Sequence, residues 1–283
     1  MSMAGKTVLV TGATSGIGQA TALELARQGA NVCIVARNKS KGETVLEEIK
    51  KATGNTKLEL FVADLSSMNE VRRVAQEFKA KHSRLDVLVN NAGGVYDTRQ
   101  TTADGLEYTF AFNHLASFLL TNLLLETLKA STPSRIINVS SNAQANGKID
   151  FDDLMGEKRY SSFGAYSASK LANVMFTYAL TRRLSGTGVT VNTLHPGLVG
   201  TNFGSNAKSA LWRGVASLAK AFSMPPERGA ETTIYLASSS DVEGVSGRYF
   251  DKKKAVASSA ASHDETAQEH LWVESAKLVG LTP

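Results

Sequence analysis

In Tyr166-Ser167-Ala168-Ser169-Lys170 a phenol and an ammonium stand four residues apart, which places both on one face of a helix. A free phenol titrates at about 10, too high for efficient proton exchange at neutral pH. A nearby cation favours the phenolate, so Lys170 is expected to lower that value and make Tyr166 a usable acid/base. Upstream, Ser140-Ser141 closes an apolar run and offers two hydroxyls that could hold a reacting oxygen beside the phenol.

A second chemical feature lies near the start of the chain. Thr11-Gly12-Ala13-Thr14-Ser15-Gly16-Ile17-Gly18 follows a short β-branched run and opens a helix-periodic one. Glycines let the backbone turn tightly and come close to a pyrophosphate, while a helix N-terminus presents unpaired N–H groups and a partial positive charge to it. The run is therefore expected to form a phosphate cradle.

The elements that must position these groups can be read from periodicity. Apolar strand patterns fall at Thr7 to Val10, Val32 to Ala36, Leu58 to Val62, Val87 to Asn90, Arg135 to Val139 and Val189 to Leu194. Helical patterns fill the gaps, at Gly18 to Gln28, Ser40 to Ala52, Met68 to Lys81, Asp104 to Leu128 and Tyr166 to Leu184, with Gly29 and Gly54 as stops. Alternation of this kind predicts a doubly wound α/β fold, a parallel sheet covered by helices on both faces. Neither a linker nor an internal repeat divides the chain, so one domain over residues 1–283 is expected. Ala255 to Gln268 reads as a loose extension before a short last helix, Glu269 to Leu278.

Composition narrows the function. The 283 residues are 42% hydrophobic and 20% charged, ordinary for a globular protein. The net charge of +5 comes from 31 basic residues scattered among 26 acidic ones, which argues against nucleic acid as a partner. Lys252-Lys253-Lys254 reads as a solvated turn or tail after a strand. Cys33, alone among Val32, Ile34 and Val35, reads as a buried strand thiol, and the five histidines show no paired ligand spacing, so no metal is expected. Leu115 to Leu125 is too short to span a bilayer, and with no hydrophobic leader before Thr7 a cytoplasmic location is expected.

The spacing Gly12-x-x-x-Gly16-x-Gly18, taken with Tyr166-x-x-x-Lys170 downstream, resembles the short-chain dehydrogenase/reductase family over the chain up to about Phe250. That resemblance implies a Rossmann fold and a hydride passed between a nicotinamide and a carbonyl or alcohol. It makes Tyr166 the acid/base, Ser141 the hydroxyl that holds the substrate oxygen, and Asn113 the link in a proton relay through water and Lys170. Gly12, Thr14, Ser15, Gly16, Ile17 and Gly18 would cradle the pyrophosphate, Asp64 and Leu65 the adenine, and Asn91, Ala92 and Gly93 the next turn. Pro196, Gly197, Val199 and Thr201 would lie on the nicotinamide side with Tyr166 and Lys170, and His195 would be structural, because the tyrosine already fills the acid/base role.

An NAD-preferring site carries an acid at the end of the second strand. Here Ala36-Arg37 stands in that place, with Lys39 and Lys41 nearby, so a guanidinium is available to a 2′-phosphate and NADP(H) is expected. The long interval from Ser141 to Tyr166, with an insertion from Gly147 to Tyr160, is similar to the retinol dehydrogenase-like branch, whose members handle retinoids, lipid aldehydes and other bulky carbonyls. Leu211, Val215, Leu218, Ala219 and Phe222 recur at helical spacing beside Trp212, which suits a substrate lid at about 198–225 as well as plain core. Family members pair through the helices equivalent to Asp104 to Leu128 and Tyr166 to Leu184, implying a homodimer or homotetramer. Two other readings stay open: a quiet cofactor-binding scaffold or redox sensor, against which Asn113, Ser141, Tyr166 and Lys170 together argue, and a light-driven protochlorophyllide reductase-like enzyme, for which the extra cysteines are lacking.

Overall fold

The computed structural model describes residues 2–197 and 224–282. Seven strands lie parallel: β1 (Thr7–Thr11), β2 (Asn31–Ala36), β3 (Leu58–Val62), β4 (Val87–Asn90), β5 (Ser134–Val139), β6 (Val189–Leu194) and β7 (Arg248–Asp251). An antiparallel β8 (Lys254–Val256) closes one edge, and the spatial order is β3-β2-β1-β4-β5-β6-β7-β8. The order reverses beside β1, so the crevice at the carboxyl ends of β1 and β4 is where a ligand is expected to sit in such a sheet.

Side-chain alternation builds a core on each face. Val8, Val10, Val32, Ile34 and Val89 point to one side, against α1 (Gly16–Arg27), α2 (Lys39–Thr53) and α7 (Pro226–Ser238). Leu9, Cys33, Phe61, Leu88 and Ile136 point to the other, against α3 (Met68–Lys81), α5 (Ala116–Ala130), α6 (Ser162–Arg183) and α8 (Glu265–Leu278). Gly54 ends α2 at φ 70°, and Gly29 follows α1 at φ 89°, left-handed positions that an L side chain rarely adopts. Among the described residues no helix is long and apolar enough to cross a membrane.

Three expectations are corrected. The helix read from Asp104 begins later, as a short turn α4 (Tyr108–Phe110), and passes through π-helical Ala111–Leu115 before α5. Its start is fixed by the buried Glu107, whose two carboxylate oxygens accept from the N–H groups of Thr109 at 2.9 Å and Phe110 at 2.7 Å. The helix bearing Tyr166 begins at Ser162, so the phenol sits inside a formed helix and not at its frayed end.

The third correction concerns the C-terminus, which is ordered rather than loose. Lys252 (φ 47°) and Lys253 (φ 66°) make the two-residue turn between β7 and β8, and α8 begins four residues earlier than expected. The apolar side of α8 was hard to see because Trp272 and Leu271 are buried among exposed Glu and Lys residues. Trp272 meets Phe118 of α5 and Phe176 of α6 at 5.0 and 5.8 Å between ring centroids, with the Arg183 guanidinium 3.9 Å above its own ring. α8 therefore covers part of the surface of α5 and α6.

Candidate active site

The glycine turn and the β4 turn are built as one piece. Asn91 donates from Nδ2 to the carbonyls of Thr11 at 2.8 Å and Gly12 at 3.1 Å. In return, the Thr11 hydroxyl accepts from the N–H groups of Asn91 and Ala92, both at 3.0 Å. A Cβ on Gly18 would lie 2.4 Å from the Gly12 carbonyl and 2.5 Å from Asn91 Nδ2, and one on Gly12 would lie 2.8 Å from the Ala92 Cα. Glycine is thus required here by close backbone approach, and Gly12 and Gly16 also hold φ 66° and 58°. Ser15 caps α1 with no side-chain hydrogen bond, so among the described contacts its hydroxyl is not committed to the helix. This shape and donor set fit a dinucleotide pyrophosphate.

At the carboxyl end of β2, the exposed Arg37 reaches Asp64 Oδ2 at 4.0 Å and the Tyr108 hydroxyl at 3.5 Å. Asp64 is itself oriented by Ser66, whose N–H and hydroxyl donate to it at 3.0 and 2.8 Å. Leu65 is buried beneath this corner. Tyr108 is a neighbour that sequence reading missed, because nothing local marks a residue 71 positions away from Arg37.

Tyr166 is 7% exposed, and the Ser141 side chain is near enough to its phenol to act on it. Ser141, extended at φ −160°, also accepts from the Ala143 N–H at 3.2 Å at the start of a 3-10 turn, Asn142–Asn146. Ser140 points the other way, donating to the Lys170 carbonyl at 2.7 Å, so the two serines hold separate places: Ser141 beside the phenol, Ser140 in the packing. Lys170 is fully enclosed and donates from Nζ to the Val139 carbonyl at 3.0 Å, 5.8 Å from the centre of the Tyr166 ring. Burial lowers its ammonium to about 8 and raises the Tyr166 phenol, a rise that Ser141 opposes. Burial is the larger of the two effects on the phenol, and the Lys170 ammonium donates to a backbone carbonyl.

Asn113 lies at the centre of the π-helical turn. Its Oδ1 accepts from the Gly94 N–H at 2.8 Å, and its Nδ2 donates to the Gly94 carbonyl at 3.0 Å and to Ser169 Oγ at 2.9 Å. A Cβ on Gly93 would be 3.1 Å from Lys170 Nζ and 3.3 Å from Asn113 Oδ1, so these groups meet around that glycine. A widened turn places Asn113 there, out of register with a regular helix.

The same turn is anchored to the C-terminal helix. His114, fully buried, hydrogen-bonds through Nδ1 with Asn173 Oδ1 at 3.2 Å and through Nε2 with Ser275 Oγ at 2.9 Å, while Asn173 donates to the Asn113 carbonyl at 3.0 Å. Burial holds the His114 imidazole down at about 4, against 6.5 for the free group. Between those values the unfolded chain binds a proton that the folded one does not, so stability present above about pH 6.5 is lost as pH falls toward 4. The expected loss from this group is about 3 kcal/mol. Urea unfolding at a series of pH values should give a His114→Gln variant a profile flatter than wild type by about that amount; parallel profiles would assign the acid sensitivity elsewhere.

On the far side of the crevice, His195 accepts at Nδ1 from the Gly197 N–H at 3.2 Å and places Nε2 3.2 Å from Asp251. Both ring nitrogens are engaged in holding the Pro196-Gly197 turn, where Gly197 has φ 81°. Val199, Thr201 and the apolar stripe from Leu211 to Phe222 lie outside the described residues. The Gly147 to Tyr160 insertion packs Ile149, Phe151, Leu154 and Met155 on the core, with the Phe151 ring 3.9 Å from that of His270 on α8.

A parallel sheet with a glycine cradle at its switch point and a buried Tyr-Lys pair on the neighbouring helix defines a class, and the comparisons agree. The model for short chain dehydrogenases matches residues 6–212, and the chain belongs to that family, as an oxidoreductase. Its similarities place it in the retinol dehydrogenase-like branch. It is 46% identical to retinol dehydrogenase 13 of Homo sapiens over 286 residues, covering 98% of this chain and 85% of the relative. It is 47% identical to retinol dehydrogenase 14 of Mus musculus over 291 residues, 99% of this chain and 87% of the relative. Among solved structures, an uncharacterized protein from Mycobacterium paratuberculosis superposes with a TM-score of 0.79 at 33% identity, covering 99% of this chain and 95% of that one. The Pseudomonas aeruginosa RhlG/NADP active-site complex gives 0.69 at 28% identity, covering 88% and 95%.

Proposed function

We propose that this chain moves a hydride between NADP(H) and a bulky, largely apolar carbonyl or alcohol, with Tyr166 giving or taking the proton on the substrate oxygen. The observation that carries the reading is the buried Tyr166 phenol with the Ser141 side chain acting on it, one helical turn from Lys170, whose Nζ approaches the turn at Gly93. When bound, NADP(H) supplies the hydride chemistry. Gly12, Gly16 and Gly18 give the backbone room for the pyrophosphate, with Thr14, Ser15 and Ile17 offering donors from the same loop and helix start. Asp64 and Leu65 border the adenosine side, Asn91 and Ala92 lock the two turns, and Pro196, Gly197, Val199 and Thr201 are assigned to the nicotinamide side.

In this reading Ser141 holds the substrate oxygen by hydrogen bond, and Tyr166 Oη carries the proton to and from it. Lys170 keeps a positive charge close to the oxygen as negative charge develops, and Asn113 holds the Gly93-Gly94 turn against Ser169 so that a water file can resupply the proton. The names of the curated relatives support an apolar, bulky substrate class. One domain carries the whole site.

Arg37 is the basis for NADP(H) over NAD(H), because a guanidinium can meet a 2′-phosphate with charge-assisted hydrogen bonds worth about 1.5–3 kcal/mol. NADPH oxidation should be followed with a panel of aldehydes and ketones that includes long-chain and retinoid ones. Wild type is expected to turn over the long apolar members with NADPH, and Arg37→Ala to raise the KM for NADPH roughly 10- to 150-fold while leaving that for NADH nearly unchanged. Equal KM changes for both cofactors would remove the argument for NADP(H).

A further inference from the structure

Away from the crevice, three side chains from distant parts of the sequence converge on one point. Cys33 on β2 and Glu59 on β3 are register partners, so both side chains leave the sheet on the same face. That face is covered by α3, whose last turn ends at His82. His82 Nε2 lies 2.7 Å from Glu59 Oε2 and 3.6 Å from Cys33 Sγ, and the three donor atoms all fall within 4.8 Å of one another.

We propose that Cys33, Glu59 and His82 bind a divalent transition cation of the zinc type, as a structural site that staples the edge strand β3 and the end of α3 to β2. A tetrahedral zinc with sulfur at about 2.3 Å and nitrogen and oxygen at about 2.1 Å needs a sulfur–nitrogen separation of roughly 3.6 Å and a nitrogen–oxygen separation of roughly 3.4 Å. The first matches the observed 3.6 Å. The second requires the 2.7 Å hydrogen bond to open by about 0.7 Å, a small swing for the half-buried Glu59 carboxylate.

The donor set of one thiolate, one imidazole and one carboxylate suits a borderline-soft cation and disfavours magnesium or calcium. His82 is held in place by its stack on Phe78 at 4.8 Å and by the edge of Phe61 at 6.2 Å. Glu59 is held by Lys81, whose Nζ pairs with the other carboxylate oxygen at 2.5 Å and leaves Oε2 for the metal. Cys33 is fully buried, while Glu59 and His82 keep side-chain exposures of 28% and 23%, which gives an entry path and a fourth position for water. On binding, the Cys33 S–H bond breaks and an S–metal bond forms, with one proton released to solvent. The His82 ring hydrogen moves from Nε2 to Nδ1, freeing the Nε2 lone pair. Two negative ligand charges then balance the dication.

Cobalt(II) and zinc(II) are the probes, added to the full chain after treatment with a chelator. One equivalent of cobalt is expected to bind with a thiolate-to-metal charge-transfer band and the intense visible bands of four-coordination. Zinc should displace it, and at a hundredfold excess over Kd should raise Tm by about 5 °C. Cys33→Ala should abolish the charge-transfer band and the Tm rise. Glu59→Gln, at a partly exposed position, should weaken cobalt binding more than about tenfold, and it serves as the test if the cysteine variant does not fold. NADPH affinity should be the same with and without zinc, which separates this site from the crevice. Absence of the charge-transfer band, or a zinc-induced Tm rise equally large in both variants, would overturn the proposal and leave the cluster as hydrogen-bonded packing.

Discussion

Tyr166→Phe is expected to lower kcat for carbonyl reduction by about 10²- to 10⁴-fold while NADPH binds within about twofold of wild type. The substitution deletes one oxygen and keeps the ring, so the packing of a residue only 7% exposed is preserved. What is lost is the group that exchanges a proton at the substrate oxygen, and Ser141 keeps its hydroxyl but has no phenol to pair with. The two arms of the measurement are steady-state NADPH oxidation and a fluorescence titration of NADPH without substrate. A variant that turns over at close to the wild-type rate would move the proton transfer to another group and sink the assignment of Tyr166.

The second large effect concerns stability. Trp272→Ala is expected to destabilise the protein by about 3–5 kcal/mol and to lower Tm by about 5–8 °C. The indole is 9% exposed, wedged between Phe118 and Phe176, and it carries the Arg183 guanidinium on its face. Removing it leaves a cavity between α5, α6 and α8 that the surrounding aromatics close only in part. Arg183 keeps its ion pair with Glu269, so the loss reads out packing and not the surface charge. Calorimetric melting of wild type and variant is the measurement. A fall of only 1 or 2 °C would mean that α8 is only loosely attached to α5 and α6.

Strand existence was legible because a buried parallel strand must be apolar along its length: all six strands expected from β-branched runs are present, within a residue at each end. Gly29 and Gly54 were legible as helix stops because a left-handed residue at a helix end has few sequence solutions. The π-helical turn at Asn113 was not, since a single widened turn changes no residue type and depends on what the inserted backbone packs against. At the β7–β8 edge hairpin a turn or tail after the strand was legible in Lys252-Lys253-Lys254, but the pairing strand β8 was not. The turn itself is Lys252-Lys253, with positive φ at both residues, and it is held from outside by the Thr232 hydroxyl accepting from the Lys253 N–H.

The sequence by itself determined the sheet, its helical layers, the glycine cradle and the phenol–ammonium pair, because each depends on residues close together in the chain and on periods that any fold must respect. It also raised the choice between Ser140 and Ser141; in the folded chain the Ser140 hydroxyl donates to the Lys170 carbonyl, while the Ser141 side chain acts on the phenol. Only the folded chain decided that Arg37 meets Tyr108, that His114 ties the Asn113 turn to Ser275 on the last helix, and that Cys33, Glu59 and His82 share one corner. Those partners lie tens to hundreds of residues apart, and their meeting is fixed by strand order and helix packing, which no local spacing encodes.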